Sequence, residues 1–154
     1  MSDPATHLAT LRTSLDAQSD PESGDLAQIT DAFWDYYVAV LNADDSAAAR
    51  AGLSDLGDTF APLMEFLDDN LVDRMERLIQ SIWEDQEWLT LCAMRSTLEG
   101  LKELVNPLVP EDARIEDDED IDEMIRSKGN LEAFAAADGP PAAFPLTHWW
   151  WTMD

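Results

Sequence analysis

The chain has 154 residues, with 33 acidic side chains against 9 basic ones, for a formal charge of −24. Apolar residues make up 45%, enough for one hydrophobic core and too many for a chain disordered throughout. Lys102 and Lys128 are the only lysines, so direct binding to DNA, RNA or an anionic membrane is not expected, since each needs a basic patch. One cysteine, Cys92, closes no intrachain disulfide and builds no cysteine zinc site.

The first sixteen residues hold no apolar core of a secretory signal, and Phe60–Leu67 is far too short to span a bilayer. A soluble cytoplasmic protein is expected. Asp3-Pro4 reads as a helix start, a capping side chain followed by a residue whose missing N–H costs nothing there. Leu8, Leu11 and Leu15 then predict an amphipathic helix over residues 4–17. The connector Gln18–Gly24 precedes a second helix, 25–42, with Leu26, Ile29, Phe33, Tyr36 or Tyr37, and Val40 on one face and Asp31 and Asp35 opposite. Asp44-Asp45-Ser46 caps a short third helix, 47–56; Gly57-Asp58 breaks and restarts the pattern, and Pro62 fits the first turn of the next helical segment.

The strongest periodicity lies in residues 71–105, where Leu71, Met75, Leu78, Ile82, Leu89, Cys92, Leu98, Leu101 and Val105 trace an apolar stripe. The polar run Glu84–Glu87 divides it into two helices, and Asn106-Pro107 ends it. Residues 111–123 carry nine acids and one arginine. Asp117 or Asp118 caps a last helix with Arg126 and Lys128 in its final turn and Gly129 as its stop. Prolines 140, 141 and 145 and the run His148-Trp149-Trp150-Trp151 make residues 138–154 an extended tail. Alternating β-branched segments are almost absent. The expectation is an all-α fold: a compact bundle of about five to six helices in one domain, 1–137, followed by the Pro/Trp-rich tail. Leu26, Ile29, Phe33, Val40, Leu63, Leu67, Leu71, Met75, Leu78, Ile82, Leu89, Cys92, Leu98 and Leu101 are the core candidates.

The charge admits three readings. Asp outnumbers Glu 21 to 12, Arg outnumbers Lys 7 to 2, and residues 1–77 and 78–154 each carry −12, a halophilic-like composition suited to salt that screens repulsion within about 3 Å. A second reading is a DNA mimic that inhibits a nucleic-acid-binding protein. Spread over the roughly 7,800 Å² expected for this mass, the charge amounts to one per about 320 Å², some threefold sparser than the roughly 110 Å² per charge of a duplex. A mimic therefore needs most acids on one face. The third reading, and the leading functional expectation, is a non-catalytic inhibitor, immunity-type or adaptor module that docks on a basic protein partner. Asp117, Asp118, Glu119, Asp120 and Asp122 would act as an electrostatic lure and Trp149, Trp150 and Trp151 as anchors. In an extended tail, Trp150 points opposite to its neighbours, so the tail can also plug a groove between helices.

Catalytic constellations are missing. His7 reads as a surface or boundary residue and His148 as a packing residue, and two imidazoles leave no room for a histidine metal site or a Ser-His-Asp triad. No glycine-rich phosphate loop occurs, and Cys92 reads as a small core residue. Glu84-x-x-Glu87 and Glu119-x-x-Asp122 are carboxylate pairs at a spacing that can hold Mg²⁺. Over these four residues the chain resembles the paired acidic motifs of the all-α nucleotide pyrophosphohydrolases, which would imply metal-dependent nucleotide hydrolysis. The 31-residue interval between the pairs and the lack of a nearby Lys/Arg cluster depart from that pattern. Asp118–Glu123 does not form a calcium loop, because Glu123 stands where the loop requires glycine. No enzyme activity and no cofactor are therefore expected.

Overall fold

The computed structural model describes residues 4–17, 26–43, 47, 51–81, 85–116 and 119–132. Five helices run through them: α1 (Pro4–Ala17), α2 (Leu26–Leu41), α3 (Met64–Ser81), α4 (Asp85–Leu104) and α5 (Glu119–Glu132). A single helical turn, Gly57–Phe60, and a 3₁₀ turn, Ala61–Leu63, lead into α3; two further 3₁₀ turns, Asn106–Leu108 and Glu111–Ala113, join α4 to α5. The described residues contain no strand, and the fold is all-α and compact. No helix among them is long and apolar enough to cross a membrane.

Helices α1 and α2 begin within a residue of their expected positions, because Pro4 and the apolar face of α2 are strong local signals. Both tyrosines of α2 are buried, not one. Phe33 sits at the centre, its ring 6.1 Å from Tyr37 and 6.4 Å from both Tyr36 and Phe60, the last contact edge-on at 86°. Such offset and edge contacts align ring quadrupoles favourably. The Tyr37 hydroxyl donates to Glu103 Oε2 at 2.8 Å, so its polar end is satisfied at the core's margin. Gly100 lets α4 approach these rings: a Cβ there would stand 2.7 Å from Tyr37 Cδ2. Gly57 plays the same part at the other end, where a Cβ would fall 2.3 Å from the Leu108 carbonyl oxygen.

Three expectations change. The short third helix does not reach residue 56, because residues 52–55 form turns closed by Ser54 N–H to Ala51 O and Leu56 N–H to Leu53 O. Arg12 holds this turn by donating to Gly52 O at 3.2 Å and to Asp55 at 2.7 Å. Gly129 does not stop the last helix, which runs through it to Glu132; helical context overrides a glycine's cost of about 1 kcal/mol. Leu26 and Leu78 are half-buried at the rim of the core, whereas Ile79 is buried. The other core candidates with described side chains are buried. Ile82, the side chain of Leu89 and the tail 138–154 lie outside the described residues.

Candidate functional site

The acidic segment is shaped by two fixed points. Asn106 uses its side-chain amide as a second peptide group: Nδ2 donates to Ile115 O and Ile115 N–H donates to Oδ1, both at 2.9 Å. Ile115 is buried, and this clasp closes the loop that turns Glu111, Asp112 and Glu116 outward. The second fixed point is Arg95 on α4, buried with 4% of its surface exposed. Its Nε and Nη2 donate to the two oxygens of Asp122 at 2.6 and 3.0 Å, and Nη1 donates to Glu99 at 3.0 Å. Lys102 approaches the same Glu99 oxygen at 3.5 Å. Burial alone would lower the Arg95 pKa, but the hydrogen bonds and charges of Asp122 and Glu99 outweigh it and hold it above the ordinary arginine value. Two bases and two acids thus stand together, and the Arg95–Asp122 pair ties α4 to α5 in the bidentate geometry that only arginine offers.

Between the loop and the start of α3 lies a groove of about 540 Å³ with a floor of Ala61, Pro62, Ala113 and Ile115. Glu65 and Asp68 of α3 line one side, Asp112 and Glu116 the other, with Arg114 the only base in its lining. Arg114 is exposed and its Nε donates to Val109 O at 3.4 Å. Four carboxylates from segments more than forty residues apart in the chain therefore share one concave surface.

Of the expected partner-binding residues, Glu119 and Asp120 are exposed in the first turn of α5, where acids complement the helix dipole. Asp122 points inward, with both oxygens bonded to Arg95, so its role here is to position α5. Asp117, Asp118, Trp149, Trp150 and Trp151 lie outside the described residues, as do Glu84 and the side chain of Glu87. Of the alternative metal pairs, only Glu119 and Asp122 have described side chains, and Asp122 is already engaged. Among the described residues no group of three or more His, Cys, Asp or Glu side chains is arranged to hold a metal. His7 is half-buried on α1, and Cys92 is buried, its thiol pushed up to about 12 by burial.

Sequence reasoning missed Arg95, Glu65 and Asp68. Arg95 carried a signal: it lies four residues after Leu91 and three before Leu98, on the buried face of its own helix. An arginine in an apolar stripe needs a buried carboxylate partner. Glu65 and Asp68 carried none, because their meeting with 112–116 is a product of tertiary packing. No known protein family, curated protein or solved structure matches this chain.

Proposed function

We propose that this protein is a non-catalytic acidic binding module, of the inhibitor, immunity or adaptor kind, whose partner is a protein with a basic surface. The observation that carries this reading is the contrast, among the described residues, between bases that mostly bond a neighbour and a cluster of exposed acids. Arg12, Arg77, Arg95 and Lys102 each stand within ion-pair distance of a carboxylate, and Arg74 donates to Thr30 at 3.2 Å. Meanwhile Glu111, Asp112, Glu116, Glu119, Asp120 and Glu123 are exposed within residues 111–123, and Glu65 lines the same groove as Asp112 and Glu116.

Such a predominantly negative surface raises the local concentration of cationic groups and speeds encounter, an effect that fades as salt shortens the screening length to about 8 Å at 0.15 M. The tail tryptophans, with large amphipathic rings, are the natural anchors once contact is made. The test is binding of a fluorescent oligo-arginine peptide across a salt series. One variant converts Asp112, Glu116, Glu119 and Asp120 to amides; a control converts Asp16, Asp31, Asp35 and Asp58, all exposed, and changes net charge equally. Greater loss of association rate in the first variant supports a local docking surface. Equal loss in both reduces the acidity to a general coat and overturns the proposal.

A further inference from the structure

A second concavity, separate from the acidic loop, lies along the outer face of α3. It measures about 520 Å³ and is lined by Leu26, Phe66, Asp69, Asn70, Val72, Asp73 and Glu76. Leu26, Phe66 and Val72 are half-buried apolar side chains at its floor, and Asp69 and Asp73 are exposed at its rim. Asn70 adds a half-buried polar side chain to the lining.

We propose that this groove seats a cationic amphipathic helix of the partner, its apolar side chains against Leu26, Phe66 and Val72 and its lysines or arginines against Asp69, Asp73 and Glu76. The proposal rests on the reading that the partner is basic, and it adds the partner's shape and a second contact surface. Charge complementarity selects the occupant. A second copy brings another −24. The chain's own residues 133–154 contain Asp138 and Asp154 and no lysine or arginine, so they bring no fixed positive charge to the rim, although His148 and the indole N–H groups can donate to it. Spacing selects the helix: Asp69, Asp73 and Glu76 fall at i, i+4 and i+7, a span of about 10.5 Å at 1.5 Å per residue. Bases at the same intervals on a docked helix keep step with all three. Arg77 bonds Asp73 at 2.7 Å, but that pair is exposed on both sides, and exposed pairs are easily exchanged.

The probe is a synthetic peptide of about fourteen leucines and lysines in helical pattern, compared with one of identical composition in strict alternation. Each is titrated into the full chain, with NMR of the Phe66 ring and Val72 methyls as the local readout. The expected result is that the helical peptide binds more tightly, shifts both reporters and is weakened about tenfold by Phe66→Ser or by Asp69→Asn with Glu76→Gln. Phe66→Ser should leave the alternating peptide's affinity unchanged. Retained circular dichroism shows that the variants are folded, and the rim double variant keeps the core intact in any case. If both peptides bind equally and neither set of substitutions matters, the groove proposal fails while the basic-partner reading stands. If neither peptide binds at about 0.15 M salt, that broader reading falls too. If deleting residues 133–154 is what opens the groove to the peptide, this chain's own tail is the occupant and the proposal is overturned.

Discussion

Asp122→Ala should destabilise the protein by about 2–3 kcal/mol. Removing one member of a buried ion pair costs about 3–5 kcal/mol, because the remaining charge is stranded away from water. Two features reduce that figure here. Glu99 still accepts from Arg95 Nη1 at 3.0 Å, and the Asp122 side chain is 22% exposed, so water reaches part of the gap. At this chain length, each kcal/mol moves the melting temperature by about 2–4 °C, so a drop of roughly 5–10 °C is expected. Replacing all three bonded members, as Arg95→Met with Asp122→Leu and Glu99→Gln, should recover most of the loss, since apolar or neutral isosteres are often tolerated in place of a whole buried set. The assay is urea unfolding followed by circular dichroism, at moderate salt so that the lost surface charge contributes little. A loss below about 0.5 kcal/mol for the single substitution, the range of ordinary surface changes, would refute the idea that this pair clamps α5 onto α4.

Gly100→Ala should destabilise by about 1–3 kcal/mol in thermal unfolding: the added methyl meets the Tyr37 ring at 2.7 Å, and overpacking outweighs alanine's helical advantage of about 1 kcal/mol. Gly57→Ala should cost at least as much, because its obstacle at 2.3 Å is a backbone carbonyl and not a movable side chain. Asn106→Ala removes both bonds of the clasp and should cost about 1–3 kcal/mol, with faster amide exchange at Ile115 as the local sign. Cys92 predicts alkaline weakening. Its folded pKa, about 12, lies above the ordinary thiol value of 9.0, so the folded state binds the proton more tightly. Its contribution is complete below pH 9 and falls from there towards pH 12, by about 1.4 kcal/mol per unit at most. Urea titrations on either side of pH 9 should show this slope, and Cys92→Ala should flatten it.

Much of the fold was legible because helical periodicity is local. Leu8, Leu11 and Leu15 placed α1, the aromatic face placed α2, and the polar run at 84–87 divided the long apolar stripe into α3 and α4. The misreadings fall where tertiary contacts decide. Residues 52–55 turn under the hold of Arg12, forty residues upstream, and Gly129 continues a helix that composition alone would end. The candidate site was legible in kind but not in geometry. Residues 111–123 announced an acidic surface, but nothing in their spacing told that Asp122 alone among Glu119, Asp120 and Asp122 turns inward, or that Glu65 joins from α3. Pairing across helices depends on how the helices cross, which no single segment encodes.

The placement of the bases gives the acid surplus its consequence. A chain with so few cations can use them as scattered surface neutralisers or as internal fixtures. Arg95 and Lys102, both well buried, take the second course, and Glu99 and Asp122 match them charge for charge, leaving that interior set neutral. The exterior near α5 and the 111–116 loop stays net negative, with Glu111, Asp112, Glu116, Glu119, Asp120 and Glu123 exposed there against Arg114 and Arg126. Interior pairs, shielded by protein, respond weakly to salt, whereas exposed carboxylates repel one another through solvent and respond strongly. Structure and surface charge are thus separable: the clamp fixes where the acids stand, and the acids themselves are not needed to hold the helices together. On the proposed reading, a cationic partner would meet these exposed carboxylates without any rearrangement of the Arg95–Asp122 clamp beneath them.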